Sequence, residues 1–264
     1  NQLGVATQIV DGGTLLNLSN IMPYSFTSLS TGNGVTNTDE LSIQETNGKF
    51  IVENALIRVA FASNGDITSM YDKEAEREVL AKGEVGNALL AMEDRPMNYD
   101  AWDIDIYYED RVGKIDGIET IKIIEQGPIR AALLIKRSYR KSTIIQKIYL
   151  YHNSKRIDFD TEIDWHEQHT LLKVAFPVDI LSPTATYDIQ WGNVERSTHR
   201  NTSWDWARFE TAAQKWADLS EGNYGVALIN DSKYGYDILH NVMRLSLQIG
   251  RAVQQECRDR YRMP

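Results

Sequence analysis

A single cysteine, Cys257, is all that the 264 residues contain, so no disulfide can close within the chain. That favours a reducing compartment, the cytoplasm. No apolar run approaches the roughly 20 residues needed to span a bilayer, so a membrane is not an expected partner. The balance of 28 Lys+Arg against 37 Asp+Glu leaves a net charge of −9, which argues against nucleic acid as a partner. There is no phosphate-cradling glycine loop, no nucleophile elbow and no Cys/His metal cluster. The 6 prolines and 17 glycines mark turns only. No amphipathic helix longer than about three turns stands out in the first 240 residues. Internal repeats and low-complexity tracts are also missing. Asn1 opens no signal-peptide pattern, and the start reads as a cut.

What is present is strand signal. Hydrophobic content of 42% suffices for a buried core. Asp11-Gly12-Gly13 is a turn between short apolar runs, and Gly32-Asn33-Gly34 belongs to a linker ending near Asp39. Phe50–Phe61 and Ile67–Tyr71 flank Ser63-Asn64-Gly65-Asp66, a hairpin signal. Asp72–Arg77 reads as a surface turn. Ile129–Tyr139 and Ser142–Tyr151 are long strand candidates, followed by a turn at Asn153-Ser154-Lys155. Arg156–Trp165 alternates, with Ile157, Phe159, Thr161, Ile163 and Trp165 on one face. Period two predicts a half-buried antiparallel strand. The fold class read from these patterns is all-β.

Its other face carries Asp158, Asp160, Glu162 and Asp164. Paired carboxylates can perform glycosidic acid–base chemistry. The plainer reading is a solvated face opposed by Lys136, Arg140, Lys141 and Lys147. His166 and His169 lie three apart just past this strand, where the zincin pattern needs four on a helix, so the spacing does not make a zinc motif, although a loop that brings them together leaves a metal open. Around Trp102, the residues Asp100, Asp103 and Asp105 either form a sugar subsite or alternate outward on a strand with Trp102 and Ile104 inward.

Four of the six tryptophans lie in Trp191–Trp216, with Asn193, Arg196, His199, Arg200, Asn201 and Asp205 between them. Flat rings beside planar polar groups suit a sugar, because a ring stacks on the C–H face of a pyranose while Arg, Asp and Asn take hydroxyls. An ordinary Trp-rich β-core is the alternative. Residues 198–205 read as a loop entering a strand at Trp204. On that strand Trp204 and Trp206 share a buried face and Asp205 points away.

The literal strings carry more. Trp191–Trp216 resembles the non-catalytic C-terminal β-domain of the α-mannosidases of glycoside hydrolase family 38. The likeness continues through 217–228, 230–237 and 241–247, and the string Ala101-Trp102-Asp103 also resembles a family motif. It implies a large antiparallel two-sheet sandwich of the galactose-mutarotase-like (supersandwich) type. On that basis residues 1–38 are the end of a small β-domain plus linker, 39–247 the sandwich, and 248–264 a divergent tail. The resemblance implies a parent that hydrolyses terminal α-linked mannose with retention, using zinc. Its aspartate nucleophile and His/Asp zinc ligands would lie in an N-terminal catalytic domain, and nothing in this chain matches them. The expected partners are a mannose-containing glycan and that N-terminal domain, with a homo-oligomer also open. The sandwich is expected to lack its last strands and to expose unpaired edges. His199, Arg200, Asn201, Asp205, Trp102 and Asp103 are the candidate substrate-binding residues. A stand-alone carbohydrate-binding sandwich and a mutarotase-like epimerase are the alternatives.

Overall fold

Strand Ser142–Tyr151 buries every second residue: Ser142, Ile144, Gln146, Ile148 and Leu150 point inward. That alternation is what a pleated strand with one face on a core requires. It pairs antiparallel with Arg130–Tyr139 on one side and Ile157–Asp164 on the other, and Ile118–Gln126 completes a four-stranded sheet. The structure is a computed structural model, and it describes residues 6–18, 21–26, 28, 41–99 and 103–249. Trp102, the linker glycines and residues 250–264 of the tail lie outside these.

Three more antiparallel sheets make up the body. One has five strands, running from Ser42–Thr46 to Arg77–Glu78. Another has four, in the order Gly192–Ser197, Thr184–Ile189, Trp216–Glu221, Tyr224–Ile229. The largest has six strands and is centred on Thr170–Pro177, which lies between Val242–Ile249 and Ala88–Glu93. All eight residues of that central strand are buried. One apolar cluster draws on all four sheets, including Phe61, Leu89, Ile144, Val174, Leu219 and Leu245. The fold is all-β, with several antiparallel sheets around a shared core.

The hairpin Ala6–Val10 and Gly13–Asn17 docks through Gln8. Its amide oxygen accepts from the N–H groups of Ile129 and Arg130 at 3.0 and 2.9 Å, and its nitrogen donates to the Arg130 carbonyl at 2.9 Å. A Cβ on Gly127 would sit 2.1 Å from the Gln8 side chain, so only glycine allows this approach.

Residues 50–61 are not one strand. Asn54 breaks the run into Lys49–Glu53 and Ile57–Phe61. Its Oδ1 accepts from the N–H groups of Leu56 and Ile57 at 2.8 Å, and its Nδ2 donates to the carbonyls of Tyr151 and Ser154. An asparagine that satisfies a turn from inside outweighs the surrounding strand propensity. The acidic strand also differs from a purely solvated face. Asp158 is buried and forked by Arg156 at 2.6 Å. Lys147 does stand opposite Asp160, but Lys136 pairs with Glu119 and Arg140 with Glu167.

Candidate functional site

A lysine in the middle of a fully buried strand needs compensation, because an unpaired ammonium in an apolar interior is prohibitively costly. Lys173 is 0% exposed. Its Nζ lies 2.5 Å from Asp237 Oδ2 and is also bonded to Glu210. Asp237 is cross-strand partner to Arg244, whose Nε reaches Asp237 Oδ1 at 2.8 Å. Tyr108 donates from its hydroxyl to Glu210 at 2.7 Å, and the Lys173 ammonium stands 4.7 Å from the Tyr108 ring centre. Burial pushes the Glu210 carboxyl above its usual range, although Lys173 opposes this. Burial and the neighbouring carboxylates of Asp237 and Glu210 push the Tyr108 phenol far up. Two cations and two acids thus close on one another, with Tyr108 as a neutral donor.

This cluster underlies two short helices. The 3-10 helix Ile106–Asp110 supplies Tyr108 inward and Glu109 sideways. The second is Ser203–Ala207. Arg200 joins them, its two terminal nitrogens bonded to the two oxygens of Glu109 at 2.6 and 2.7 Å. Burial disfavours ionisation of Glu109, yet the Arg200 fork outweighs it and holds the carboxyl below its ordinary range. Arg200 also stands 5.3 Å from the Trp206 ring centre, a cation–π contact.

The helix itself corrects the expected strand at Trp204. Thr202 and Asp205 form a reciprocal capping box: Thr202 Oγ1 accepts from the Asp205 N–H at 3.2 Å, and Asp205 Oδ2 accepts from the Thr202 N–H at 3.1 Å. Two of the free N–H groups that begin any helix are thereby satisfied, which tips five residues into helical backbone. Trp204 and Trp206 then do not share a buried wall. They are 74% and 53% exposed.

The candidate residues are placed as follows. His199, Arg200 and Asp205 gather at the base of this helix, with His199 Nδ1 3.8 Å from Asp205 Oδ2. Asn201 is exposed beside them. Asp103 is exposed and bonds locally, accepting from the Ile104 N–H, and it does not sit on a strand. The recess lined by His199, Arg200, Asp205 and Asp237 measures about 20 Å³, enough for roughly one water and far too small for a pyranose. Sequence reasoning missed Lys173, Glu210, Asp237, Tyr108 and Glu109. One signal was available, a lysine inside the otherwise apolar run 171–177.

Zinc does not fit these residues. Among the described residues no three of His, Cys, Asp and Glu gather as a ligand set, and His166 turns to Asp164 at 3.0 Å. Nor is any helix among them long and apolar enough to cross a membrane.

Residues 52–255 match the family described as glycosyl hydrolases family 38 C-terminal domain. This chain belongs to that family. The family 38 domain is 41% identical over 210 residues to alpha-mannosidase G of Dictyostelium discoideum, covering 77% of this chain and 19% of that protein. It is likewise 41% identical over 207 residues to alpha-mannosidase 2C1 of Mus musculus, covering 78% and 20%. A solved structure from Enterococcus faecalis, a protein in the glycosyl hydrolase family 38, shares the fold with a TM-score of 0.67 at 15% identity. That match covers 98% of this chain and 34% of the other. The chain therefore spans about a fifth of the length of the curated relatives it matches.

Proposed function

We propose that this chain is the C-terminal β-domain of an α-mannosidase that hydrolyses terminal α-linked mannose with retention. The bond-breaking groups and the zinc belong to a catalytic domain upstream, as does the larger part of the glycan site. Kinship with proteins named alpha-mannosidases supports this reading, as does the small share of their length that the chain covers. We further read residues 39–247 as one layered sandwich of the mutarotase-like type, which the core shared by four sheets supports. The lone Cys257 favours a cytoplasmic enzyme.

The role of the domain is to hold a loop rigidly and present it to the catalytic domain and the rim of the glycan site. The observation that carries this is the Arg200–Glu109 fork, which fixes the helix Ser203–Ala207 over the buried Lys173 cluster while leaving both its tryptophans outside. Loops held on a rigid scaffold are where binding groups lie. His199, Arg200 and Asp205 shape the loop from within. Asn201, Trp204 and Trp206 form the outward part of the rim, and Asp103 and Trp102, the latter outside the described residues, are assigned to the same glycan site.

The test is direct. The purified chain, incubated with an aryl α-mannoside and zinc, releases no phenol. Zinc-dependent release well above a boiled control would place catalysis inside these residues and overturn the reading.

A further inference from the structure

The hairpin Ala6–Val10 and Gly13–Asn17 pairs with no other sheet, and a two-stranded hairpin is marginally stable on its own. Residues 18–41 connect it to Ser42 and span about 80 Å at full extension. Covalent attachment therefore does not fix where the hairpin sits, and its position depends on contacts. By register, Ala6, Gln8, Leu15 and Asn17 share one face. Gln8 is buried there and the other three are half-buried, whereas Ile9 and Leu16 on the opposite face are exposed. Among the described residues, the hydrogen bonds from the hairpin to the body all come from the side chains of Gln8 and Asn17.

Gln8 sits in a socket made by residues 125–130. Its amide meets Arg130 as a neighbouring strand would, accepting from the N–H and donating to the C=O of the same residue. Ile129 supplies a second N–H. Glu125 lies 3.4 Å from Gln8 Nε2 and holds the Arg130 guanidinium through two bonds of 2.6 and 2.8 Å. The same guanidinium stands 4.2 Å from the Tyr149 ring centre, so the socket is braced by its own residues. Gly127 leaves the space that Gln8 fills. The socket selects a glutamine. A glutamate would bring a second carboxylate to Glu125 and donate nothing, an asparagine is one methylene too short, and a methionine leaves both N–H groups without an acceptor. At the far end Asn17 Nδ2 lies 3.4 Å from His152 Nε2, a longer and weaker contact.

We propose that Gln8 is a positioning residue, whose seat in the 125–130 socket sets where the catalytic domain stands relative to the loop 198–205. This rests on the reading of the chain as part of an α-mannosidase whose catalytic domain lies upstream. Whatever precedes Ala6 is covalently joined to the body through this hairpin, so the seat of Gln8 fixes the point at which the chain enters. Releasing it moves the bond-breaking groups against Asn201, Trp204 and Trp206 without altering either set. The sugar then loses contacts with the rim, while the groups that act on the bond keep their geometry among themselves. The signature is a higher KM at nearly constant kcat.

Amide exchange on the 264-residue chain reads the seat, and steady-state kinetics of the complete enzyme on an aryl α-mannoside read its consequence. Gln8→Met keeps the volume and removes the amide, and Gly127→Ala fills the socket from the other side. In both variants exchange at the Ile129 and Arg130 N–H groups rises at least about 10-fold, while the melting temperature moves little. Both raise KM by about 10-fold and change kcat by less than about 2-fold. Should Gly127→Ala not fold, Gln8→Ala reads the same contact from the hairpin. Exchange that Gln8→Met leaves unchanged overturns the proposal. So does a fall in kcat at constant KM, which a loss of folded enzyme alone would produce. A complete wild-type enzyme without turnover sinks the α-mannosidase reading and this inference with it, whereas an active wild type whose variants keep its KM sinks the inference alone.

Discussion

Lys173 and Asp237 meet within the six-stranded sheet, with the strand Val242–Ile249 between their own strands, at 2.5 Å from nitrogen to oxygen, and the two side chains are 0% and 2% exposed. Asp237 completes its coordination with Arg244, and Lys173 with Glu210. Removing the lysine leaves Glu210 and Asp237 buried with one cation between them. We predict that Lys173→Ala destabilises the domain by about 3–5 kcal/mol, the cost of breaking a buried pair. Lys173→Met, which keeps the volume, should recover little of this while both acids remain. Chemical denaturation measures it, and a loss below about 1 kcal/mol would show the network to be dispensable.

Arg200 and Glu109 give a pH signature. Glu109 is held below its ordinary value of 4.5 in the folded chain, so the fork contributes stability above that value. The contribution fades as pH falls through the lower, folded value. We predict that Glu109→Gln melts below wild type at pH 7 and that the gap closes on acidification below about 4.5. Melting curves from pH 7 to pH 3.5 check this. A gap that stays constant with pH would mean that the fork's charge is immaterial.

Thr202 offers a milder test of the loop. Thr202→Ala removes the cap, costs about 1 kcal/mol and frays the helix Ser203–Ala207, and Thr202→Ser retains the cap. Trp204 and Trp206 ride on that helix, so their fluorescence anisotropy drops in the alanine variant. Unchanged anisotropy would separate the cap from the order of the tryptophans.

In the complete enzyme the inward and outward residues of the loop should part company. Trp206→Ala and Asn201→Ala are predicted to lower kcat/KM by about 10-fold or more, with melting nearly unchanged. Arg200→Ala should lower the melting temperature by several degrees, because it releases both Glu109 and Trp206. If all three variants keep full activity, the loop is not part of the site.

A last expectation concerns metal. After dialysis the chain should carry far less than one zinc per molecule. A stoichiometric ion held by His166 and His169 would overturn the assignment of zinc to a domain upstream.

The sequence made strands with local alternation legible. Ser142–Tyr151 was bounded to the residue and Ile157–Asp164 to within one, because period two and flanking turns are short-range signals. Asn54 and Thr202 were misjudged for the opposite reason: a single side chain bonding to nearby backbone outvoted the pattern around it. Of the site, the polar residues around 200 were visible. Their partners were not, since Glu109 lies 91 residues from Arg200 and Asp237 lies 64 from Lys173, distances over which no periodicity speaks.

The buried strand Thr170–Pro177 also bears on how the chain is made. Its neighbours in the sheet come from residues 88–93 and 242–249. A ribosome that has just added residue 200 therefore holds the fully buried strand with one flank open, and Lys173 without the aspartate that neutralises it. Nothing local can close that flank, and pairing between residues this far apart is slow. The nascent chain must wait for Val242–Ile249, and during that wait it is a natural client for a chaperone.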